Sequence, residues 1–409
     1  MRGYEEMEDI SVVLSGIGGY GNNYVRALLD EAKNRGVHIE GVVDPFPESC
    51  RYLNELRAQG IPIYATLETF YKERSADLTI ISSPIQFHCE QTCFALSYGS
   101  NVLCEKPAAA TVDEVYDMMG VRDKADKLLA IGFQWAYDPV YQQLKRDIMS
   151  GLLGRPKRLK TLVLWPRDTA YYKRGWAGKI RDENGRWVLD SVANNATAHF
   201  LHNMLFALGE QLCSSIEPAE ITAELYKAND IENFDTAAMR VYTENEAEIL
   251  FYASHAVKEN VEPMFCYEFG NGTVYYNNPS VVDSNEHIVA VFTDGRIKDY
   301  GKPQHQGMYK LWSTIDAVRG KTSVICPPEA ALPHTLCING AQLSMRDITI
   351  FPDEWIIKEG EPTLIHVKGL EDALMGCFDD NELPSEKKLP WARSGKPISL
   401  KNFRHFEWL

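Results

Sequence analysis

The chain has 409 residues, 45% of them hydrophobic and 24% charged, which gives core enough for two domains and excludes a disordered or fibrous protein. A formal net charge of −15 argues against a nucleic-acid binder, whose phosphate contacts need a basic face, and speaks mainly for solubility. No stretch of eighteen uncharged apolar residues predicts a membrane span, and the acidic segment Met1–Ile10 does not read as a signal peptide. Nine scattered cysteines without a Cys-x-x-Cys pair predict reduced thiols in a cytoplasmic protein.

The first third alternates strand and helix patterns. A buried-strand run at Ser11–Ser15 precedes a helix over Asn22–Asn34, a strand over Val37–Val43 and a helix over Pro47–Gln59. Ile63–Tyr64 reads as a short strand and Leu67–Tyr71 as a short helix. Strands at Leu78–Ser82, Asn101–Cys104 and Leu129–Phe133 then alternate with helices over Phe87–Tyr98 and Thr111–Lys127. Such βα repeats predict an α/β domain over residues 1–135, a Rossmann-type doubly wound parallel sheet with helices on both faces.

Beyond Phe133 the pattern changes. A helix over Pro139–Ser150 leads through the turn cluster Gly154-Arg155-Pro156 to a strand over Lys157–Trp165, a polar aromatic loop and a helix over Asn194–Leu208. Alternating segments follow at Ile221–Tyr226, Thr236–Tyr242, Ala247–His255, Met264–Phe269, Gly272–Tyr276 and Ile288–Phe292. Strands without helices between them predict an open, mainly antiparallel sheet in an α+β domain over residues 136–409. Helices over His305–Arg319 and Glu329–Arg346 are expected to cover one face of it, and the last forty residues to form an irregular wrapping tail.

Gly16-Ile17-Gly18-Gly19-Tyr20-Gly21 fits G-x-G-x-x-G directly after the first strand and opens a helix. The glycines permit a tight turn, close approach of a pyrophosphate to backbone, and helix–strand packing, while the helix amino end offers N–H groups to phosphate. Asp44 ends the second strand 23 residues beyond Gly21, where a carboxylate accepts from ribose hydroxyls and repels a 2′-phosphate. That favours NAD, although Arg51 leaves NADP open; Asp44 before Pro45 also reads simply as the start of a turn.

Cys104-Glu105-Lys106-Pro107 closes another strand at the carboxyl edge, as Ser82-Ser83-Pro84 with His88 closes the one before it. With Gly132-Phe133-Gln134, these segments resemble the Gfo/Idh/MocA family (glucose–fructose oxidoreductase, inositol dehydrogenase, rhizopine catabolism protein), and their order covers most of the first 135 residues. The resemblance implies an NAD-dependent dehydrogenase acting on a hydroxyl of a sugar, inositol or sugar acid, with Ser83, Pro84, His88, Glu105 and Gln134 beside the cofactor. It implies that Lys106 sits by the nicotinamide, where a cation stabilises developing alkoxide. It also implies a homodimer or homotetramer built through the open sheet.

The family's second motif, an aspartate followed four residues later by a histidine, corresponds here to Asn195 and His199, with His202 after them. On one helix Asn195, His199 and His202 share a face, and His199 is the candidate general base. Asn195 departs from the family's aspartate. His199-x-x-His202 also admits a metal, but no third ligand stands at a recognisable spacing, so no metal is assigned. Two histidines packed in the core are a third reading. The loop carrying Arg167, Tyr172 and Trp176 has the aromatic and basic mix of a carbohydrate site, while packing against the sheet or a partner subunit would explain the aromatics equally, and Arg167 with Lys173 also suits the carboxylate of a sugar acid. Two other functions fit the same residues: an NAD-recycling glycosidase or epimerase, and a non-catalytic NAD-binding sensor.

Overall fold

The computed structural model describes residues 9–281, 284–304 and 308–408. Most of the Met1–Ile10 segment, and positions 305–307 of the helix expected from His305, lie outside the described residues. The first elements are β1 (Ile10–Ser15), α1 (Gly21–Glu31), β2 (Val37–Val43), α2 (Leu53–Ala58), β3 (Ile63–Tyr64), α3 (Leu67–Glu73), β4 (Leu78–Ile81), α4 (His88–Ser97), β5 (Asn101–Cys104), α5 (Val112–Ala125) and β6 (Leu129–Ile131). Then come α6 (Pro139–Met149), β7 (Pro156–Leu164), α7 (Thr169–Tyr172), α8 (Ala198–Ala207), β8 (Pro218–Lys227), β9 (Thr236–Thr243), β10 (Glu248–Ser254), β11 (Val261–Phe269), β12 (Gly272–Tyr276), β13 (Ile288–Phe292) and β14 (Ile297–Gly301). The chain closes with α9 (Tyr309–Val318), α10 (Pro328–Ser344), β15 (Thr349–Ile350), β16 (Ile356–Glu359), β17 (Leu364–Val367), α11 (Leu370–Asp380) and β18 (Ile398–Ser399).

Two compact units result. Met1–Ala109, Glu114–Tyr137 and His305–Pro328 make the first; Ala110–Asp113, Asp138–Gln304 and Glu329–Leu409 make the second.

In the first unit six parallel strands run in the order β3-β2-β1-β4-β5-β6. Connections leave β1 in one direction and β4 in the other, so a crevice opens beyond the carboxyl ends of these two strands. Every residue of β4 is buried, as its unbroken apolar run requires of a central strand. Tyr24, Val25 and Leu28 turn one stripe of α1 onto the sheet. Leu311, Trp312 and Ile315 of α9 join the same core as Val12, Leu14 and Ile80. This corrects the expectation that the helix near residue 310 covers the second sheet. Its apolar spacing predicts a buried face but carries no information about which layer receives it.

The second unit is built on a ten-stranded sheet with the path β14-β13-β12-β11-β7-β10-β9-β8-β15, and β18 pairs with β8. Most pairings are antiparallel, but β7 lies parallel to β10 and β15 parallel to β8. Strand β14 was not expected, because Ile297–Gly301 offers little apolar alternation and only an edge position accommodates it. Leu162, Leu164, Leu250 and Tyr252 pack in one cluster with Leu370, Leu374 and Phe378 of α11 and with Trp391. Their alternates Thr161, Val163, Phe251 and Ala253 point the other way and are equally buried. The sheet centre is thus covered on both sides. One expectation needs correction: the tail begins with a regular helix, α11, which packs on the centre of this sheet. Each large apolar side chain so buried contributes roughly 1.5–3 kcal/mol.

Candidate functional site

The glycine turn sits where β1 ends, in the crevice of the first unit. Gly16 has φ +83°, and a Cβ there would lie 2.6 Å from Ser83 N and 2.8 Å from the Ser82 carbonyl carbon. A Cβ on Gly21 would run into the Gly16 carbonyl oxygen, and one on Gly18 into Ser49 Oγ. Gly19, at φ +48°, faces open space. Asp44 braces this turn: Oδ2 accepts from Ile17 N at 3.0 Å and Oδ1 from Phe46 N at 2.8 Å. The turn-forming and the ribose-facing readings of Asp44 are therefore compatible, since each oxygen keeps a second lone pair. Helix α1 has no capping side chain and no acidic residue in its first turn, and half-exposed Tyr20 stands at its amino end. A turn closed to side chains at Gly16 and Gly21, a bare helix amino end and a partly exposed carboxylate fit a dinucleotide.

Beside the turn, the ends of β4 and β5 are bound together through His88. Its Nδ1 is 2.8 Å from the Pro107 carbonyl oxygen and its Nε2 2.9 Å from that of Ser83. Burial lowers its pKa, against the raising effect of both carbonyls. His88 is 1% exposed and lies beneath the ends of both strands. Ser83 and Ser15 both donate to Gln91 Oε1, at 2.8 and 3.0 Å, while Ser82 Oγ donates to Gly16 O at 2.6 Å.

Glu105 is the buried hub. Its Oε1 accepts from Tyr24 Oη at 2.6 Å and from Lys310 Nζ, and its Oε2 accepts from Lys106 N at 3.2 Å. Lys310 also lies 3.3 Å from Gly132 O and 4.4 Å from the centre of the Tyr20 ring, whose hydroxyl donates to Gln134 at 3.1 Å. Burial lowers the Lys310 pKa, but the Glu105 charge and Tyr20 outweigh it and leave the value raised. Burial and the Glu105 charge push Tyr24 well up. Lys106, next in sequence, keeps partial exposure at the carboxyl edge. Sequence reasoning missed Lys310 and Tyr24; 205 positions separate Lys310 from Glu105, and no spacing rule joins them.

In the second unit α8 begins only at Ala198, so Asn195 precedes the helix and does not share a helical face with His199. His199 alone among the α8 residues retains exposure. His202, at 0% exposure, stacks on Phe206 with centroids 5.4 Å apart, and burial drives its pKa well below the usual range. Its surroundings are those of a core histidine, the third of the readings open to this helix. Asn195 is held by an acid five residues earlier: buried Asp190 accepts from Asn195 Nδ2 at 2.9 Å and from Gly178 N at 2.6 Å. Nothing in the sequence marked Asp190, because only the turn after it brings the two side chains together.

Arg167, Tyr172 and Trp176 are half-buried in the segment after β7. That backbone is pinned by Trp165 N to Ser254 O at 2.9 Å and Arg167 N to His255 O at 3.1 Å, and Asp168 caps α7. Among the described residues no three His, Cys, Asp or Glu side chains group as metal ligands, and no helix is long and apolar enough to cross a membrane.

The fold and the braced glycine turn define a Rossmann nucleotide-binding protein carrying a second, sheet-based unit. Residues 10–133 match the model of the oxidoreductase family with an NAD-binding Rossmann fold. Over this segment the chain is similar to members of the Gfo/Idh/MocA family. It is 33% identical over 141 residues to the rhizopine catabolism protein MocA of Rhizobium meliloti, which covers 34% of this chain and 43% of that one. It is 27% identical over 154 residues to an inositol 2-dehydrogenase/D-chiro-inositol 3-dehydrogenase of Shouchella clausii, covering 37% and 44%. The match thus spans less than half the length of these relatives. Among solved structures, an Agrobacterium radiobacter oxidoreductase in complex with NAD+, L-tartaric acid and magnesium superposes with TM-score 0.67 at 18% identity, over 83% of this chain and 97% of that one. The WlbA dehydrogenase of Chromobacterium violaceum, in complex with NADH and UDP-GlcNAcA, does so with TM-score 0.67 at 21% identity, over 83% and 94%. At such identities the likeness is one of fold, extending through both units.

Proposed function

We propose that this protein is an NAD-dependent oxidoreductase that moves a hydride between the nicotinamide and a CH–OH carbon of a sugar, inositol or sugar-acid-like substrate. The observation that carries this reading is the glycine turn at the switch point of the sheet, closed to side chains at Gly16 and Gly21 and braced by Asp44. Relatives named as inositol dehydrogenases, and a structural neighbour holding NADH with a sugar-nucleotide acid, support it. When bound, the cofactor supplies the hydride acceptor. In this assignment Gly16, Gly18, Gly19, Tyr20 and Gly21 hold the phosphates and Asp44 the ribose hydroxyls. Ser83, Pro84 and Gln134 border the cofactor, and Glu105 orients the Lys106 turn.

Lys106 stabilises the developing alkoxide, and His199 accepts the hydroxyl proton. Asn195 orients the hydroxyl, and Asp190 fixes the Asn195 amide through their hydrogen bond. Arg167, Tyr172 and Trp176 hold the remainder of the substrate. Nine cysteines without a disulfide suit a reducing compartment, and we place the enzyme in the cytoplasm. The expected assembly is a homodimer or homotetramer built through the sheet of the second unit, beyond the part that α11 covers.

Titration with NAD+ and a polyol and sugar panel tests the reading. Wild type should accumulate NADH, and Asp44→Ala should weaken NAD+ binding about 10–100-fold. Lys106→Ala and His199→Ala should lower turnover about 10²–10⁴-fold with NAD+ binding retained. Wild type that does not bind NAD+ at all, or an Asp44→Ala variant with unchanged affinity, removes the cofactor assignment. Product formed without NADH would favour the recycling chemistry instead.

A further inference from the structure

Within the second unit, three buried polar atoms around Tyr171 have no hydrogen-bond partner among the described residues: Arg167 Nε, Tyr172 Oη and His255 Nε2. The Arg167 guanidinium carbon lies 5.3 Å from the Tyr171 ring centre, the Tyr172 ring 5.1 Å from it and the His255 ring 5.7 Å from it. Burying polar atoms unpaired is costly, and a half-buried cation without a counter-ion more so. Three such atoms bordering one ring therefore point to a ligand that completes them.

Their chemistry limits what the ligand is. Arg167 forms no ion pair among the described residues; its Nη1 donates to the Pro166 carbonyl oxygen at 3.2 Å, and its guanidinium also bonds the Tyr171 side chain. The two acids whose charges reach the cluster are already committed. Asp190 accepts from Gly178 N and Asn195, and Asp235 from Ala228 N, Asn229 and Thr236. The Arg167 guanidinium, with exposed Arg174 4.7 Å from the same Tyr171 ring, makes a cationic setting around an unpaired phenol hydroxyl, which suits a negative charge spread over two oxygens. His255 is oriented differently. Its Nδ1 is 2.7 Å from the Trp165 carbonyl oxygen, so the proton sits there and Nε2 presents a lone pair. Burial, with Arg167 nearby, pushes its pKa down to about 3 and keeps the ring neutral. Nε2 therefore accepts from a hydroxyl.

We infer that Arg167, Tyr172 and His255 form a subsite for the carboxylate end of a hydroxy acid, with the carboxylate on Arg167 and Tyr172 and an adjoining hydroxyl donating to His255. The inference rests on the proposed sugar-like substrate and narrows it to sugar acids.

Calorimetric titration of the full chain, with and without NAD+, against hexuronates and hexonates paired with their neutral parent hexoses tests it, with hexose 6-phosphates as a third arm. At least one acid should bind ten-fold or more tightly than its parent. Arg167→Gln should reduce that preference about 10–100-fold, the size of a charge-assisted hydrogen bond to a buried group. Tyr172→Phe, which removes one oxygen, should reduce it less and carries the comparison if Arg167→Gln does not fold. No acid bound more tightly than its parent, a preference that survives in both variants, or phosphates bound more tightly than carboxylates would each overturn the subsite. Failure here is separable from failure of the dehydrogenase reading. Acid preference without NADH formation upholds the subsite alone, and NADH from neutral sugars without acid preference upholds the enzyme alone.

Discussion

Lys310→Met isolates the Glu105 hub. In the native protein the lysine and the carboxylate are 2% and 7% exposed, so water screens neither, and the lysine ammonium also lies over the Tyr20 ring at 4.4 Å. Methionine keeps the length of the side chain and removes the charge, leaving Glu105 with Tyr24 Oη and Lys106 N as its hydrogen-bond donors. Stranding one member of a buried pair costs about 3–5 kcal/mol, whereas replacing both members by neutral groups is often close to neutral. For a unit of this size that loss corresponds to a melting temperature lower by roughly 6–20 °C. Urea unfolding at pH 7, read by circular dichroism for wild type, Lys310→Met, Glu105→Gln and the double variant, gives the coupling directly. The double variant should recover most of the loss of Lys310→Met. A single-variant loss below about 1 kcal/mol, the level of a surface pair, would refute the hub, as would losses that simply add.

Gly16→Ala places a methyl group against the backbone of Ser82 and Ser83 and holds a non-glycine residue at φ +83°. It should cost about 1–3 kcal/mol and abolish measurable NAD+ binding, while Gly19→Ala, facing open space, should cost about 1 kcal/mol. Equal effects of the two in thermal melts would dismiss the close-approach argument. His255 supplies a pH signature. Its folded-state pKa lies near 3, below the unfolded value of about 6.5, so its contribution is present above pH 6.5 and lost as pH falls. By pH 5 about 2 kcal/mol should be gone, and His255→Gln should flatten the urea midpoint over that interval; an unchanged slope would show the ring already protonated in the fold.

Local physics determined the first unit from sequence alone. A βα repeat, a glycine turn after the first strand and an acid at the end of the second are contiguous features, and each strand's burial follows from its own apolar run. Glu105-Lys106-Pro107 was legible for the same reason. The helix of His199 was placed correctly but begun too early. Asn195 therefore seemed to share its face, and of the readings open to His202, substrate contact or core, the fold surrounds it with core. Contacts between distant residues were left to tertiary structure: Lys310 on Glu105, Asp190 on Asn195, α9 in the first unit and α11 on the second sheet. Apolar periodicity states that a face is buried and a charge states that it needs a partner. Which face and which partner depend on loops whose closure free energy varies only slowly with length, so the sequence carries no spacing from which to read them.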